Sequence, residues 1–130
     1  MHKAKILIVD DERSVRQALK FELEDEGYDI YYASNYDEAL SAVKAFDIDM
    51  VITDVYLGDG DGIQLMELMR RVKQDVTFIV ISAFPDSDLG IRARDIMHDR
   101  FYEKPFVLPE FTRKVNELLL PRTAAAAYAV

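Results

Sequence analysis

No cysteine occurs among the 130 residues, which removes disulfides, thiolate nucleophiles and cysteine-held metals. Cations are scarce as well: 16 Lys and Arg against 24 Asp and Glu leave a formal charge of −8. Direct binding to nucleic acid or to an anionic membrane needs clustered cations, so that balance disfavours both. No apolar run approaches the ~20 residues of a membrane span. The start, Met1-His2-Lys3-Ala4-Lys5, leads into only four apolar residues before two aspartates, which is no signal peptide. The expectation is a cytoplasmic protein that binds neither membrane nor nucleic acid. Long linkers, internal repeats and a second domain are also missing, and the length suits one core of ordinary size. Residues 1–120 are expected to form that domain. Pro121 should stop the last helix, leaving 121–130, with four consecutive alanines, as a tail or linker stub.

Half of the residues are apolar, and they fall into short continuous runs. Ile6–Val9 runs into Asp10-Asp11, Met50–Thr53 into Asp54, Phe78–Ile81 into Ser82, and Phe101-Tyr102 through Glu103 into Lys104-Pro105. Tyr28–Ser34 supplies a further strand. Such runs suit a parallel sheet buried on both faces. Between them lie helical periods: Val15, Ala18, Leu19 and Leu23, ended by Gly27; Ala39, Leu40 and Val43 behind Asn35 as N-cap. Ile63, Leu65, Met66, Met69 and Val72 follow Asp61-Gly62. Leu89, Ala93, Ile96 and Met97 give a fourth helix, and Phe111, Val115, Leu118 and Leu119 a fifth. Five β-α repeats imply an α/β sandwich with right-handed crossovers.

In a parallel sheet, ligands bind at the carboxyl ends of the strands. There three carboxylates, a hydroxyl and an ammonium would converge. Asp54, alone at the end of a central strand, is the expected nucleophile toward a phosphoryl group, a task that is mostly charge handling and alignment. Asp10 and Asp11 beside it would raise one another's pKa unless a cation sat among them; a hard divalent ion, Mg²⁺, resolves the repulsion. Lys104 and the Ser82 hydroxyl can meet further phosphoryl oxygens. Gly58 to Gly62 should form a mobile loop leaving the nucleophile open. Each residue has a plainer use: Asp11 as the N-cap of the first helix, Ser82 as a strand end, Lys104 as a solvated charge. The four together are far more specific than any one.

The segments ILIVDDE at 6–12, VITDVYLGDGDG at 51–62, VISAF at 80–84 and FYEKPF at 101–106 resemble the receiver (response-regulator) domain of bacterial two-component signalling, chemotaxis-regulator type, across residues 4–120. The resemblance implies a flavodoxin-like (βα)5 fold with strand order 2-1-3-4-5. It also implies phosphotransfer onto Asp54 from a sensor histidine kinase or a phosphotransfer protein. Further, it implies Mg²⁺ held by Asp11, Asp54 and the backbone carbonyl of Tyr56, with Asp10 acting through water, and a cis Lys104-Pro105 peptide. Ser82 and Ala83 then belong to the phosphate-binding turn, Phe101 is the aromatic switch, and output passes through the fourth helix, fifth strand and fifth helix. That face would bind a downstream protein, an effector domain or, on phosphorylation, a second copy; Ile91, Val107 and Phe111 are its candidate exposed residues.

Three positions depart from the family's pattern. Gly58 stands where proline is usual, which should loosen its loop; Met97-His98 replaces the usual Gly-Ala; and Phe101 lacks the hydroxyl of the commoner tyrosine. The rivals are weaker. A phosphatase of the haloacid-dehalogenase type needs a second acid two residues past the nucleophile, where this chain has Tyr56. An FMN carrier wants a Ser/Thr/Gly-rich phosphate loop where Asp10-Asp11-Glu12 would repel phosphate. An adaptor that works without phosphorylation is the alternative that keeps the fold. The expectation is a signalling domain rather than an enzyme, catalysing only its own phosphorylation and dephosphorylation.

Overall fold

The computed structural model describes the backbone of residues 3–128 and the side chains of residues 3–120. The strands are β1 (Lys5–Val9), β2 (Asp29–Ala33), β3 (Met50–Asp54), β4 (Thr77–Ser82) and β5 (Phe101–Glu103). The helices are α1 (Arg13–Asp25), α2 (Tyr36–Ala45), α3 (Gly62–Val72), α4 (Asp88–Met97) and α5 (Leu108–Tyr128). All pairings in the main sheet are parallel, in the order β2-β1-β3-β4-β5. This is the flavodoxin-like order expected.

The continuous apolar runs split by alternation, because successive side chains on a strand point to opposite faces. Leu7, Val9, Val51, Phe78 and Val80 enter one core with Ala39, Val43, Leu65, Met66, Met69 and Ala93 from α2, α3 and α4. Ile6, Ile8, Met50, Ile52, Ile79 and Ile81 enter the other with Leu19 and Leu23 of α1 and Phe111, Val115 and Leu119 of α5. Each fully buried aliphatic side chain contributes about 1.5–3 kcal/mol. The sheet is thus a wall between two cores.

Helix starts follow the sequence. Asn35, Asp61 and Ser87 cap α2, α3 and α4, accepting from the backbone N–H groups of Glu38, Gln64 and Gly90. Gly27 takes a positive φ of 95° just past α1.

Two expectations fail. Gly58–Gly62 is not a mobile loop: Tyr56-Leu57 and Gly60-Asp61 pair antiparallel as a small hairpin. The Asp59 carboxylate at its tip accepts from the backbone N–H groups of Tyr36 (2.8 Å) and Asp37 (3.3 Å), which pins the hairpin to the start of α2. Pro121 does not stop the last helix, which continues to Tyr128. Proline removes one helical hydrogen bond, and the four alanines beyond it have the highest helix propensity. Of the three candidates on the α4–β5–α5 face, Phe111 belongs to the core, fully buried and stacked on Phe106 with ring centres 4.7 Å apart. Ile91 and Val107 are exposed.

Met97, in the place of the usual glycine, has an ordinary φ of −93°, and His98 after it carries the positive φ, 52°. The side chain brings strain at a position that favours glycine. Among the described residues no helix is long and apolar enough to cross a membrane.

Candidate functional site

Strand register brings the singled-out residues to one level. Val9 lies opposite Thr53, Asp54 opposite Ile81, and Ser82 opposite Glu103, so Asp10, Asp54, Ser82 and Lys104 all emerge at the carboxyl edge. Lys104 is the hub. Its Nζ stands 2.7 Å from Asp10 Oδ2, 2.7 Å from Asp54 Oδ2 and 2.9 Å from Glu12 Oε1, with the side chain only 9% exposed. It is no solvated surface charge.

Burial alone would pull the Lys104 ammonium down. Its contacts with Asp10, Asp54 and Glu12 outweigh that and raise its pKa, so it stays charged. Asp10 is fully buried, and burial pushes its carboxyl above the ordinary range despite the lysine beside it. Its Oδ1 accepts from the Glu12 N–H at 2.8 Å. Its Oδ2 makes the ion-pair contact with Lys104 but has no aligned hydrogen-bond donor.

A buried carboxylate oxygen lacking a donor is a place for a cation. Oxygens of Asp10, Glu12 and Asp54 lie within 4.8 Å of one another, the spacing a hard ion with oxygen ligands could bridge. One lysine shared among three acids leaves the cluster net negative. By this chemistry the residues fit Mg²⁺.

Asp11 is exposed and falls outside this group of three; it is Glu12 that joins. Nor does Asp11 cap α1. Glu12 occupies the N-cap without a side-chain bond, its carboxylate being turned to Lys104. Glu12 was missed by sequence reading, although three consecutive acids at a strand end offered the signal. Thr53 was missed too; its hydroxyl donates to the Asp54 carbonyl at 2.9 Å and steadies the backbone there. The Tyr56 N–H donates to Asp54 Oδ1 at 3.1 Å.

Ser82 is fully buried and its Oγ accepts from the Phe84 N–H at 3.0 Å, leaving its own proton to give. Ala83 is exposed and lines a cleft of about 470 Å³ with Lys104, Pro105 and α1 residues Val15 and Ala18. The Lys104–Pro105 peptide is cis. Phe101 is half-buried beneath the Arg94 guanidinium, 5.3 Å from its ring centre, and Arg94 in turn pairs with Glu103 at 2.7 Å.

Two glycines fix the loops that carry these groups. A Cβ on Gly62 would stand 2.4 Å from the Asp54 carbonyl oxygen, and one on Gly90 would stand 2.3 Å from that of Phe84. Backbone cannot yield as a flexible side chain can. Hence α3 packs directly on the loop after Asp54, and α4 on the loop after Ser82.

Residues 6–116 match the family model described as "Response regulator receiver domain". The chain belongs to that family. It is also 31% identical over 122 residues to the alkaline phosphatase synthesis transcriptional regulatory protein PhoP of Bacillus subtilis, an alignment covering 94% of this chain and 51% of that one. The chain spans about half the length of the curated relatives it matches. Among solved structures, the response regulator TrrA of Thermotoga maritima, in complex with Mg²⁺ and a beryllium fluoride, superposes with a TM-score of 0.73. The two are 36% identical, with 89% of this chain and 99% of that one covered. The beryllofluoride-activated NtrC4 receiver-domain dimer gives a TM-score of 0.80 at 29% identity, covering 90% and 97%. As a receiver domain of two-component response regulators, the chain is a signalling module, and it carries an acidic cluster at the strand ends.

Proposed function

We propose that Asp54 accepts a phosphoryl group from the phosphohistidine of a sensor histidine kinase or phosphotransfer protein. A carboxylate oxygen of Asp54 attacks phosphorus; the P–N bond breaks, an acyl phosphate forms, and the departing imidazole takes a proton from solvent. The observation that carries this reading is the Lys104 ammonium held 2.7 Å from both Asp54 and Asp10. A buried cation shared by a nucleophile and its neighbour is placed to follow negative charge as it builds on the transferring group. The Ser82 proton serves a second phosphoryl oxygen.

Asp11, Asp54 and the Tyr56 backbone carbonyl would hold Mg²⁺, with Asp10 acting through water and Glu12 staying on Lys104 at 2.9 Å. When bound, that ion offsets the carboxylate charge and polarises a phosphoryl oxygen. The domain turns over nothing but its own phosphoryl group, which it also loses by hydrolysis, and it works in the cytoplasm. Residues 1–120 constitute the receiver and 121–130 a tail or linker.

Phosphorylation draws Ser82 toward Asp54, Phe101 turns into the space left, and the face of α4, β5 and α5 changes what it binds: a downstream protein, an effector domain or a second copy. The test is intact mass after acetyl phosphate with Mg²⁺. One added phosphoryl group is expected, and none after Asp54→Asn; an adduct that survives that substitution removes the assignment.

A further inference from the structure

The loop after Asp54 and the loop after Ser82 are tied together above the sheet edge. The Tyr56 hydroxyl donates to Ser87 Oγ at 2.5 Å. Ser87 Oγ donates to the Phe84 carbonyl at 2.7 Å and accepts from the Gly90 N–H at 3.0 Å. A serine hydroxyl has one proton and two lone pairs, so all three positions are filled. The Tyr56 and Phe84 rings meet edge to face, centres 5.9 Å apart. Tyr56 is 39% exposed and Phe84 65%, while the Asp54 side chain is only 10% exposed. The rings stand on the two loops whose backbone N–H groups hold the Asp54 and Ser82 oxygens.

Both ends of this strap finish on reacting oxygens. At one end the Tyr56 N–H bonds Asp54 Oδ1; at the other the Phe84 N–H bonds Ser82 Oγ. The bonds form one continuous chain: Asp54, Tyr56, Ser87, Phe84, Ser82. Phe84 and Pro85 cannot retreat toward α4, because Gly90 is already in contact with their carbonyls.

We propose that the Tyr56 and Phe84 rings flank the outlet through which the Asp54 carboxylate meets solvent, and that Ser87 is a positioning residue which, through the Tyr56 hydroxyl, holds it closed and so lengthens the life of the phosphoryl group on Asp54. The inference rests on the phosphoacceptor reading above. Hydrolysis requires a water in line with the bond to Asp54, on the far side of phosphorus. Water attacks phosphorus, the P–O bond to Asp54 breaks, and the carboxylate returns with inorganic phosphate. A Tyr56 ring fixed by Ser87 keeps such a water from settling, whereas a ring free to swing admits one. Because Ser87 also caps α4, opening the strap loosens the first turn of the helix whose face carries the output.

The test is the decay of the acyl phosphate in the purified protein after removal of acetyl phosphate. Tyr56→Phe keeps the ring and leaves the Ser87 cap of α4 untouched. It is expected to speed decay about fivefold, which at 1.36 kcal/mol per tenfold is about 1 kcal/mol of barrier. Ser87→Ala, which loses the same contact and the α4 cap with it, should decay at least as fast, and the double variant no more than about twofold faster than the faster single, since both remove the Tyr56–Ser87 contact. Ser87→Thr, which keeps a hydroxyl, should restore the slow decay. A role for Ser87 in folding alone would leave Tyr56→Phe like wild type. Unchanged decay in Tyr56→Phe, or single effects that multiply, overturns the strap. A wild-type chain that takes up no phosphoryl group overturns the phosphoacceptor reading along with it.

Discussion

Asp10 and Asp54 sit one strand apart on the same lysine, yet their surroundings differ. Asp10 is fully buried with an oxygen lacking an aligned donor, and its carboxyl is pushed above the usual range by burial. A carboxyl that binds its proton more tightly when folded contributes stability in full below its ordinary value of 3.8. That contribution is lost as pH rises through the higher folded value. At neutral pH, without metal, the charged side chain therefore weighs against the fold. Asp10→Asn is expected to raise stability there by about 1 kcal/mol, because Lys104 keeps Asp54 and Glu12 as partners. The gain should shrink as pH falls toward 4, where the native aspartate recovers its proton. Urea denaturation at several pH values measures both, and a variant less stable at neutral pH contradicts the argument. The identity of the hub residues was legible in the sequence because each closes an apolar run. That Glu12 also reaches Lys104 was not, since the two lie 92 residues apart in the chain.

At the scale of elements, the hairpin at 56–61 is the instructive failure. Its strands are two residues long, too short for alternation to register, and its glycines read as slack. The partners that order it lie 22 and 23 residues earlier in the chain. Local pattern cannot report a bond of that range. Gly62, which also read as slack, is there for the close approach to the Asp54 carbonyl. By contrast the five strands and five helices were legible, because alternation, apolar period and caps all lie within a few residues. The Asp59 carboxyl is held below its ordinary value, first by the Tyr36 N–H. Its contribution is therefore present above 3.8 and lost as pH falls through the lower folded value. Asp59→Ala should release the hairpin from α2 and speed amide exchange at Tyr36, Asp37 and the hairpin by roughly threefold or more. Core strand amides should stay unchanged; exchange that is unaltered at Tyr36 argues against the tether.

Across the whole molecule, the two faces of the sheet have different tasks. Phe101 packs into the α2–α3–α4 core, while its neighbour Tyr102 packs on Phe106 and Phe111 on the other side. Phe101 is the strand residue beneath Arg94, so its displacement bears on α4 directly. Ser82→Ala should still accept phosphate on Asp54 but no longer pass the change to α4. The two states need differ by only about 1–3 kcal/mol for phosphate to bias them. Amide exchange in α4 that responds to phosphorylation equally in wild type and Ser82→Ala would refute this coupling. The division of the sheet has an engineering consequence too. All the chemistry lies at the carboxyl edge, and β3 is five residues long, about 17 Å at 3.4 Å per residue. The turn between Lys73 and Val76 joins α3 to β4 at the opposite edge, where Gln74 and Asp75 are not in any helix or strand. A circular permutation opened between Gln74 and Asp75, or a fluorescent domain grafted there, places its new ends a full sheet-width from the phosphoacceptor. Such a graft can report on the switch without standing in its way.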